Sequence, residues 1–344
     1  MTDICIFTLG CKVNQAEGYA IGDAFMQQGY TVAYNFEPAH YYIINTCAVT
    51  NEADAKSRQA ISRAIKLNQK AKIFVMGCSS TFDKNAYLNK QNVVSVFGTD
   101  EKEQVIPAIL QSIITARSIC GLPQKSRKCT YIKIQDGCNN YCSYCIVPYL
   151  RGESRSRPIA DIIAEAKSLE GKAQEILLVG INISDYNHGG KSALTQLIAE
   201  FKSINIPTKK IGSLTPTVIT NELLLALQES GFAPHFHISI QSGSDSVLKR
   251  MNRKYTASQA LQKIDLIRQV FEKPYIMTDI ICGFALETDE EFAQTQDFLT
   301  KAQFDTLHIF PYSVREGTTA AKLPQLPMRL RRNRAKILKE QFTS

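Results

Sequence analysis

Three cysteines lie close together near the middle of the chain, at positions 138, 142 and 145, with the spacing Cys-x3-Cys-x2-Cys. The loop that carries them is rich in Gly, Asn, Tyr and Ser, so it can wrap its thiolates around one centre. Three thiolates leave one iron of a cubane iron–sulfur cluster without a protein ligand, and a small molecule can bind at that open corner. A zinc site would need a fourth Cys or His at zinc-like spacing, and a disulfide framework suits a small secreted chain. The spacing therefore favours an iron–sulfur cluster held by Cys138, Cys142 and Cys145.

Three further cysteines, Cys11, Cys47 and Cys78, are far apart in the sequence, but each follows the end of a predicted strand. In an open α/β sheet the carboxyl ends of the strands share one edge, where ligands bind. The three thiols would gather at that edge and form a second three-thiolate site. The alternative is that they are buried as small apolar side chains, which is common for free cysteine. Each adjoins Gly, Thr or Ala in a loop, and this favours ligation of a second cluster.

The elements that must position these cysteines alternate between strands and helices. Residues 1–120 are predicted to form a doubly wound parallel sheet, and residues 121–129 have the composition of a linker. Residues 130–325 contain six successive βα units, which predict a TIM-like barrel two units short of a closed (β/α)8. A basic helix is predicted over residues 326–344. The fold class is α/β, with the Cys138 loop at the end of the first barrel strand, where barrels place their active sites.

Polar residues end several of the predicted barrel strands, on the face that also carries the cysteine loop. Glycine lets a backbone approach a ligand closely, and Gln and Ser supply hydrogen bonds to an amino acid head group or a ribose. The residues expected to bind a small-molecule cofactor are Tyr144, Gly180, Ser213, Gln241 and Ser242.

Two runs of cations, one after the cysteine loop and one in the C-terminal helix, are candidate contacts for a polyanion. The residues are Arg151, Arg155, Arg157, Arg331, Arg332 and Arg334. The alternative for either run is a solvated helix or loop face.

The composition is that of a soluble globular protein: 44% of the 344 residues are hydrophobic and 21% are charged. The N-terminus lacks the pattern of a signal peptide, and no stretch approaches the roughly 18 apolar residues that span a bilayer. We therefore expect a cytoplasmic protein with no membrane partner. Ten cysteines in such a chain indicate metal or redox chemistry before disulfides. Of the remaining four, Cys5 and Cys282 are expected in the core, and Cys120 and Cys129 are expected near the linker.

The cysteine loop on the first strand of a six-unit β/α chain resembles the radical S-adenosylmethionine superfamily. With Cys11, Cys47 and Cys78 in a preceding domain, the chain is similar to the methylthiotransferases of that superfamily. Three segments are similar to the branch that modifies N6-threonylcarbamoyladenosine in tRNA. They are Gly10-Cys11-Lys12-Val13-Asn14-Gln15-Ala16-Glu17, Asn45-Thr46-Cys47-Ala48-Val49-Thr50-Asn51-Glu52-Ala53-Asp54 and Gln135-Asp136-Gly137-Cys138-Asn139-Asn140-Tyr141-Cys142.

This resemblance implies two [4Fe–4S] clusters and S-adenosylmethionine, which serves as both methyl donor and radical source. It implies insertion of sulfur and methylation at carbon-2 of the modified adenosine beside the anticodon. The implied partners are a tRNA that carries N6-threonylcarbamoyladenosine and a low-potential electron donor such as flavodoxin or ferredoxin. An aromatic C–H resists ordinary acids and bases, and the second cluster can carry sulfur, so the two cysteine sets are expected to face each other across one cavity.

The chain departs from the family pattern in two places. The usual Gly-Phe-Pro-Gly-Glu-Thr reads Gly283-Phe284-Ala285-Leu286-Glu287-Thr288, which loses a Pro-Gly turn. Family members usually end in a small β-barrel RNA-binding domain, whereas this chain stops at Ser344 after the basic helix. Two other hypotheses stay open: the same chemistry on another tRNA nucleoside or on a protein residue, and a non-catalytic, metal-stabilised RNA-binding protein.

Overall fold

The computed structural model describes residues 1–113, 129–189 and 191–342. Within these residues the chain forms two compact units. The first contains residues 1–113 together with 149–152, and the second contains residues 129–148 and 153–342. Cys120 and the predicted linker apart from Cys129 lie outside the described residues.

The first unit is a five-stranded parallel sheet with the strand order β2-β1-β3-β4-β5, which confirms the predicted doubly wound domain. Its strands are β1 (Thr2–Thr8), β2 (Val32–Ala33), β3 (Ala39–Thr46), β4 (Lys72–Gly77) and β5 (Val93–Val96). Its helices are α1 (Lys12–Gln27), α2 (Asn51–Leu67), α3 (Cys78–Phe82), α4 (Asn85–Leu88) and α5 (Val105–Ile113), with a 3₁₀ turn at Lys102–Gln104.

Two apolar layers cover the two faces of this sheet, because successive side chains of a strand point to opposite faces. Ile4 and Ile6 of β1 pack in one layer with Phe25 of α1. Cys5, which lies between them in sequence, is fully buried in the other layer with Ile61 of α2. The expectation that Cys5 is a core residue is therefore confirmed.

The second unit contains six parallel barrel strands in sequence order, which confirms the predicted partial barrel. They are β6 (Thr130–Asp136), β8 (Glu175–Gly180), β11 (Thr208–Ile211), β12 (His235–Gln241), β13 (Tyr275–Cys282) and β14 (Thr306–Pro311). Strand β7 (Arg155–Ser156) pairs antiparallel with β6, and β9 (Asn187–His188) forms a hairpin with β10 (Lys191–Ser192). Between β11 and β12 the backbone N–H of Leu214 donates to the His237 carbonyl at 2.8 Å, which joins the two halves of the sheet.

Helices follow the barrel strands and bury the outward-facing apolar residues. They are α7 (Ile159–Ser168), α8 (Leu194–Glu200), α9 (Asn221–Glu229), α10 (Asp245–Arg250), α11 (Ala257–Val270), α12 (Asp289–Ala302) and α13 (Met328–Phe342). The short helix α6 (Val147–Arg151) precedes α7, and its last three residues belong to the first unit. Strand β12 shows the alternation: Phe236, Ile238 and Ile240 are buried in the core, so His237 points to the inner face. Cys282 is buried in the same core, as expected.

None of the helices within the described residues has both the length and the apolar character that a membrane span requires.

Candidate functional site

The first cysteine set lies at the carboxyl edge of the five-stranded sheet. Cys11 precedes α1 as its N-cap residue, Cys47 follows β3, and Cys78 is the first residue of α3. Because β1 and β3 are neighbours in the order 2-1-3-4-5, Cys11 and Cys47 flank the topological switch point of the sheet, where such folds bind ligands. The backbone brings them close: a Cβ built on Gly10, whose φ is +94°, would lie 2.8 Å from the Cys47 Sγ atom.

Two asparagines hold the loops of this first set together. The Asn14 side-chain amide donates to the carbonyls of Leu9 and Thr46, both at 2.9 Å. The Asn45 amide donates to the Asn14 carbonyl at 2.8 Å. Two of these contacts satisfy carbonyls at strand ends and the third satisfies a carbonyl in the first turn of α1, so hydrogen bonds fix the positions of the cysteine-bearing turns.

Arg151 belongs to the first unit and contacts its cysteines, although the sequence suggested a phosphate contact. Its side chain is 1% exposed. The guanidinium Nε donates to the Cys78 Sγ at 3.4 Å, Nη2 donates to the Asn14 Oδ1 at 2.6 Å, and Nη1 lies 3.1 Å from the Glu17 Oε1. A buried cation beside a thiol favours the thiolate that metal binding requires.

Electrostatic interactions link the Cys11 thiol to Cys78 and Arg151. Although Cys11 as a residue is exposed, the dense protein around its thiol raises its pKa by desolvation. Arg151 acts to lower the pKa of Cys11, and the nearby Cys78 thiol acts to raise it.

The second cysteine loop is anchored to the end of α10. The Ser143 backbone N–H donates to the Met251 carbonyl at 3.0 Å, and the Ser143 hydroxyl donates to the Arg250 carbonyl at 2.6 Å. The Asn252 amide donates to the Tyr141 carbonyl at 3.1 Å. Tyr141 itself has a φ of +45°, a conformation that non-glycine residues adopt rarely and that is common at functional sites.

Arg253 contacts this loop in the way that Arg151 contacts the first set. Its Nη1 donates to the Cys142 Sγ at 3.3 Å, and Nη2 donates to the Ser239 carbonyl at 2.5 Å. The pKa of the Cys145 thiol is raised to about 12, chiefly by burial; the Cys142 and Cys138 thiols also act to raise it, and Arg253 acts to lower it. Sequence reasoning missed Arg253, whose only signal was a positive charge in the turn after α10.

The donor chemistry of each cysteine set is three thiols. Three thiolates fit a cubane cluster that keeps one iron open to a small molecule.

The five residues expected to bind a cofactor have different surroundings. Gln241 is buried and has a φ of +77°, beside an irregularity in the β12 register. Ser242 is fully buried, and its hydroxyl lies 3.3 Å from the Thr295 hydroxyl. Ser213 bonds a histidine of the inner barrel face, and Tyr144 packs edge-on against Phe284.

Gly180 is required for packing. A Cβ at this position would lie 2.6 Å from the Ile183 Cγ2 and 3.0 Å from the Gln135 Cβ. Gln135 in turn donates to the Gly137 carbonyl at 2.8 Å, at the start of the cysteine loop. The absence of a side chain at Gly180 thus leaves room for Gln135, which contacts the cysteine loop.

The six arginines expected to contact a polyanion fall into two groups. Arg155 and Arg332 are exposed and Arg157 is half-buried. Arg151, Arg331 and Arg334 are buried, so their side chains are not presented to a phosphate backbone.

The buried arginines of α13 fasten the helix to the barrel. Arg334 Nη1 lies 2.6 Å from the Glu287 Oε2, and the side chains are 4% and 2% exposed. The Arg331 Nη1 donates to the Tyr312 carbonyl at 3.1 Å, and its stem fills the space that a Cβ on Gly283 would enter. The altered motif that begins at Gly283 is therefore held by the C-terminal helix, with Leu286 in the left-handed region at a φ of +62°.

Two family models match separate parts of the chain, one in each compact unit. The family model described as Radical SAM superfamily matches residues 132–299, and the model described as Uncharacterized protein family UPF0004 matches residues 3–98. The computed structure is similar to a radical S-adenosylmethionine methyltransferase, TsrM, from Kitasatospora setae, with a TM-score of 0.65 and 12% identity over 91% of this chain and 74% of that one. At this identity the similarity concerns the fold alone.

Two curated relatives cover nearly the whole chain. Threonylcarbamoyladenosine tRNA methylthiotransferase MtaB from Rickettsia prowazekii (strain Madrid E) is 35% identical over 97% of this chain and 82% of its own length. The tRNA-2-methylthio-N(6)-dimethylallyladenosine synthase from Syntrophus aciditrophicus (strain SB) is 32% identical over 99% of this chain and 80% of its own length. The chain therefore belongs to the radical S-adenosylmethionine methylthiotransferase family.

Proposed function

We propose that this protein is a tRNA-modifying enzyme that attaches a methylthio group to carbon-2 of N6-threonylcarbamoyladenosine beside the anticodon. The observation that carries the proposal is the presence of two separate three-cysteine sets, each contacted by a guanidinium. The name of the Rickettsia relative supports the choice of nucleoside. The Syntrophus relative supports the same chemistry on dimethylallyladenosine as the second candidate.

The residues of the chain have distinct roles in this reaction. Cys138, Cys142 and Cys145 hold the cluster that, when bound, supplies the electron for radical chemistry on S-adenosylmethionine. Cys11, Cys47 and Cys78 hold the second cluster.

The guanidiniums of Arg151 and Arg253 each approach one thiol and offset part of its negative charge. Neither takes a ligand position, so one iron of each cluster stays open to a small molecule. Tyr144, Gln241 and Ser213 are the proposed side-chain contacts to the cofactor, and Ser242 and Gly180 support it through packing. A low-potential donor such as flavodoxin or ferredoxin supplies the electron.

The proposed tRNA contacts are the exposed cations. Arg332 lines a shallow groove on α13 together with Arg329 and Lys336. Arg155 and Arg157 follow the cysteine loop. Replacing Arg332 by alanine should weaken tRNA binding uniformly and reduce the slope of log K against log salt by about 1. An unchanged slope in a filter-binding titration would remove Arg332 from the interface.

Anaerobic reconstitution with iron and sulfide tests the cluster assignment. Two cubane clusters require about eight irons per chain, and about four would contradict the second cluster. Cys78→Ser should lose about half of the iron, whereas Cys129→Ser, in a cysteine outside both sets, should keep all of it.

Mass spectrometry of nucleosides tests the substrate. In a strain that lacks the gene, tRNA should lose the methylthio mark on N6-threonylcarbamoyladenosine, and the intact gene should restore it. Persistence of that mark, with loss of the mark on dimethylallyladenosine, would instead establish the second candidate. A protein that binds zinc and does not cleave S-adenosylmethionine under dithionite would be the non-catalytic RNA-binding protein.

A further inference from the structure

A third cluster of potential metal ligands lies on the inner face of the barrel strands. Three neighbouring strands contribute one residue each: His237 from β12, Asp279 from β13 and His308 from β14. One ligand atom of each residue lies within 4.8 Å of the other two. The set contains nitrogen and oxygen atoms and no sulfur, so its chemistry differs from that of the cysteine sets.

The distances in this cluster are those between neighbouring ligands of one ion. The His237 Nε2 and the His308 Nδ1 each lie 3.1 Å from the same Oδ1 atom of Asp279. Two atoms bonded to one ion at roughly 2.1 Å are separated by roughly 3.0 Å at an angle of about 90° and by roughly 3.4 Å at the tetrahedral angle, so 3.1 Å lies between these values.

The Nε2 atom of His237 is buried and lies 3.1 Å from the Asp279 carboxylate oxygen. The two atoms interact electrostatically, but the geometry is not that of a well-aligned hydrogen bond. A metal ion between them would accept a lone pair from each atom.

Ser213 orients the His237 ring from the other side. The Ser213 Oγ lies 2.6 Å from the His237 Nδ1. When Nδ1 carries the proton and donates it to the hydroxyl, Nε2 presents the lone pair that a metal ion needs. Metal-ligating histidines are commonly fixed in this way by a hydrogen bond to the other ring nitrogen.

We propose that His237, Asp279 and His308 form a binding site for a divalent first-row transition metal ion. Two imidazoles and one carboxylate suit zinc or iron(II), whereas magnesium and calcium prefer all-oxygen sites. Three protein ligands leave positions open on the ion. The His308 side chain is 43% exposed, so the site can be reached from solvent.

Zinc binding to the cluster-reconstituted protein tests the proposal, because iron then occupies the cysteines. After equilibration with zinc and desalting, elemental analysis should find about one zinc per chain in the unchanged protein. X-ray absorption at the zinc edge should show nitrogen or oxygen neighbours at about 2.0–2.1 Å and no sulfur at about 2.3 Å. His308→Ala should lose this zinc at unchanged iron content.

His235→Ala is the matched control, because His235 lies two residues before His237 on the same strand and stacks on Tyr275. It should retain the zinc. His237→Gln is the second test variant, which keeps the side chain polar if His308→Ala fails to fold. Absence of zinc from the unchanged protein, a sulfur shell, or equal zinc in the folded test variants would overturn the proposal.

Discussion

Replacing Arg151 by methionine should destabilise the first unit strongly. Methionine keeps an unbranched stem and removes the charge. The change leaves the Glu17 carboxylate, which is 8% exposed, without its nearest guanidinium, and it leaves the Asn14 Oδ1 without a donor at 2.6 Å. Removing one partner of a buried ion pair costs about 3–5 kcal/mol, because the other charge stays buried.

The structure places the expected loss at the lower end of this range. Glu17 keeps a second cation, since the Lys102 Nζ lies 2.5 Å from its Oε1. We therefore expect the free energy of unfolding to fall by about 3 kcal/mol in the apoprotein, or roughly 10 °C in the melting temperature of the first unit.

The assay is a thermal melt of Arg151→Met, Glu17→Gln and the double variant, with Arg155→Met as the control. Arg155 lies four residues away and is exposed, so its replacement should change stability by less than about 0.5 kcal/mol. If Arg151 and Glu17 interact, the double variant should lose at least about 1 kcal/mol less than the sum of the single variants. A loss below about 1 kcal/mol for Arg151→Met, or strict additivity, would refute the reasoning.

Three other changes have defined outcomes. Arg253→Gln removes an N–H donor from the Cys142 thiolate and should make the potential of the cluster it contacts roughly 60–120 mV more negative in an EPR-monitored redox titration, with the other cluster unchanged. Leu286→Gly relieves a left-handed residue that is 44% exposed and should raise stability by about 0.5–1 kcal/mol in urea unfolding; a loss would contradict the strain. Arg334→Ala should cost about 3 kcal/mol at neutral pH, because Glu287 stays buried. Burial raises the pKa of Glu287 in the folded protein above its unfolded value, so folding favours the protonated carboxyl group. The stability lost in Arg334→Ala should therefore shrink as the pH falls through the folded pKa, and unfolding curves at several pH values check this.

Local patterns in the sequence were sufficient to predict the two sheets and the cysteine-bearing strand ends. The positions of Cys11 and Cys47 after β1 and β3 could be predicted from the apolar runs that precede them, with Gly10 also marking the end of β1. The short helices α3, α4 and α10 were not predicted. They have four to six residues, and such helices form through tertiary contacts, with little contribution from intrinsic propensity.

The contacts that define the electrostatics of the sites could not be predicted from local patterns. Arg151 and Cys78 are 73 residues apart, and Arg253 and Cys142 are 111 apart. The burial of Arg331 and Arg334 could not be predicted either, because a basic helix is expected to be exposed unless the groups that it packs against are known. The cysteine positions depend on local sequence, and the partners of their charges depend on the tertiary fold.

We propose that each cysteine set holds a cluster, and the two arginine–thiol contacts then explain how it can operate with three protein ligands. A fourth protein ligand would neutralise a cluster but would also block its open iron. A guanidinium at 3.3–3.4 Å from one sulfur donates a hydrogen bond and offsets charge without entering the coordination sphere. Because both guanidiniums are also held by protein acceptors, the Asn14 oxygen in one case and the Ser239 carbonyl in the other, they are fixed before any cluster or substrate binds. An open iron can then exchange small molecules while the surrounding charge stays constant.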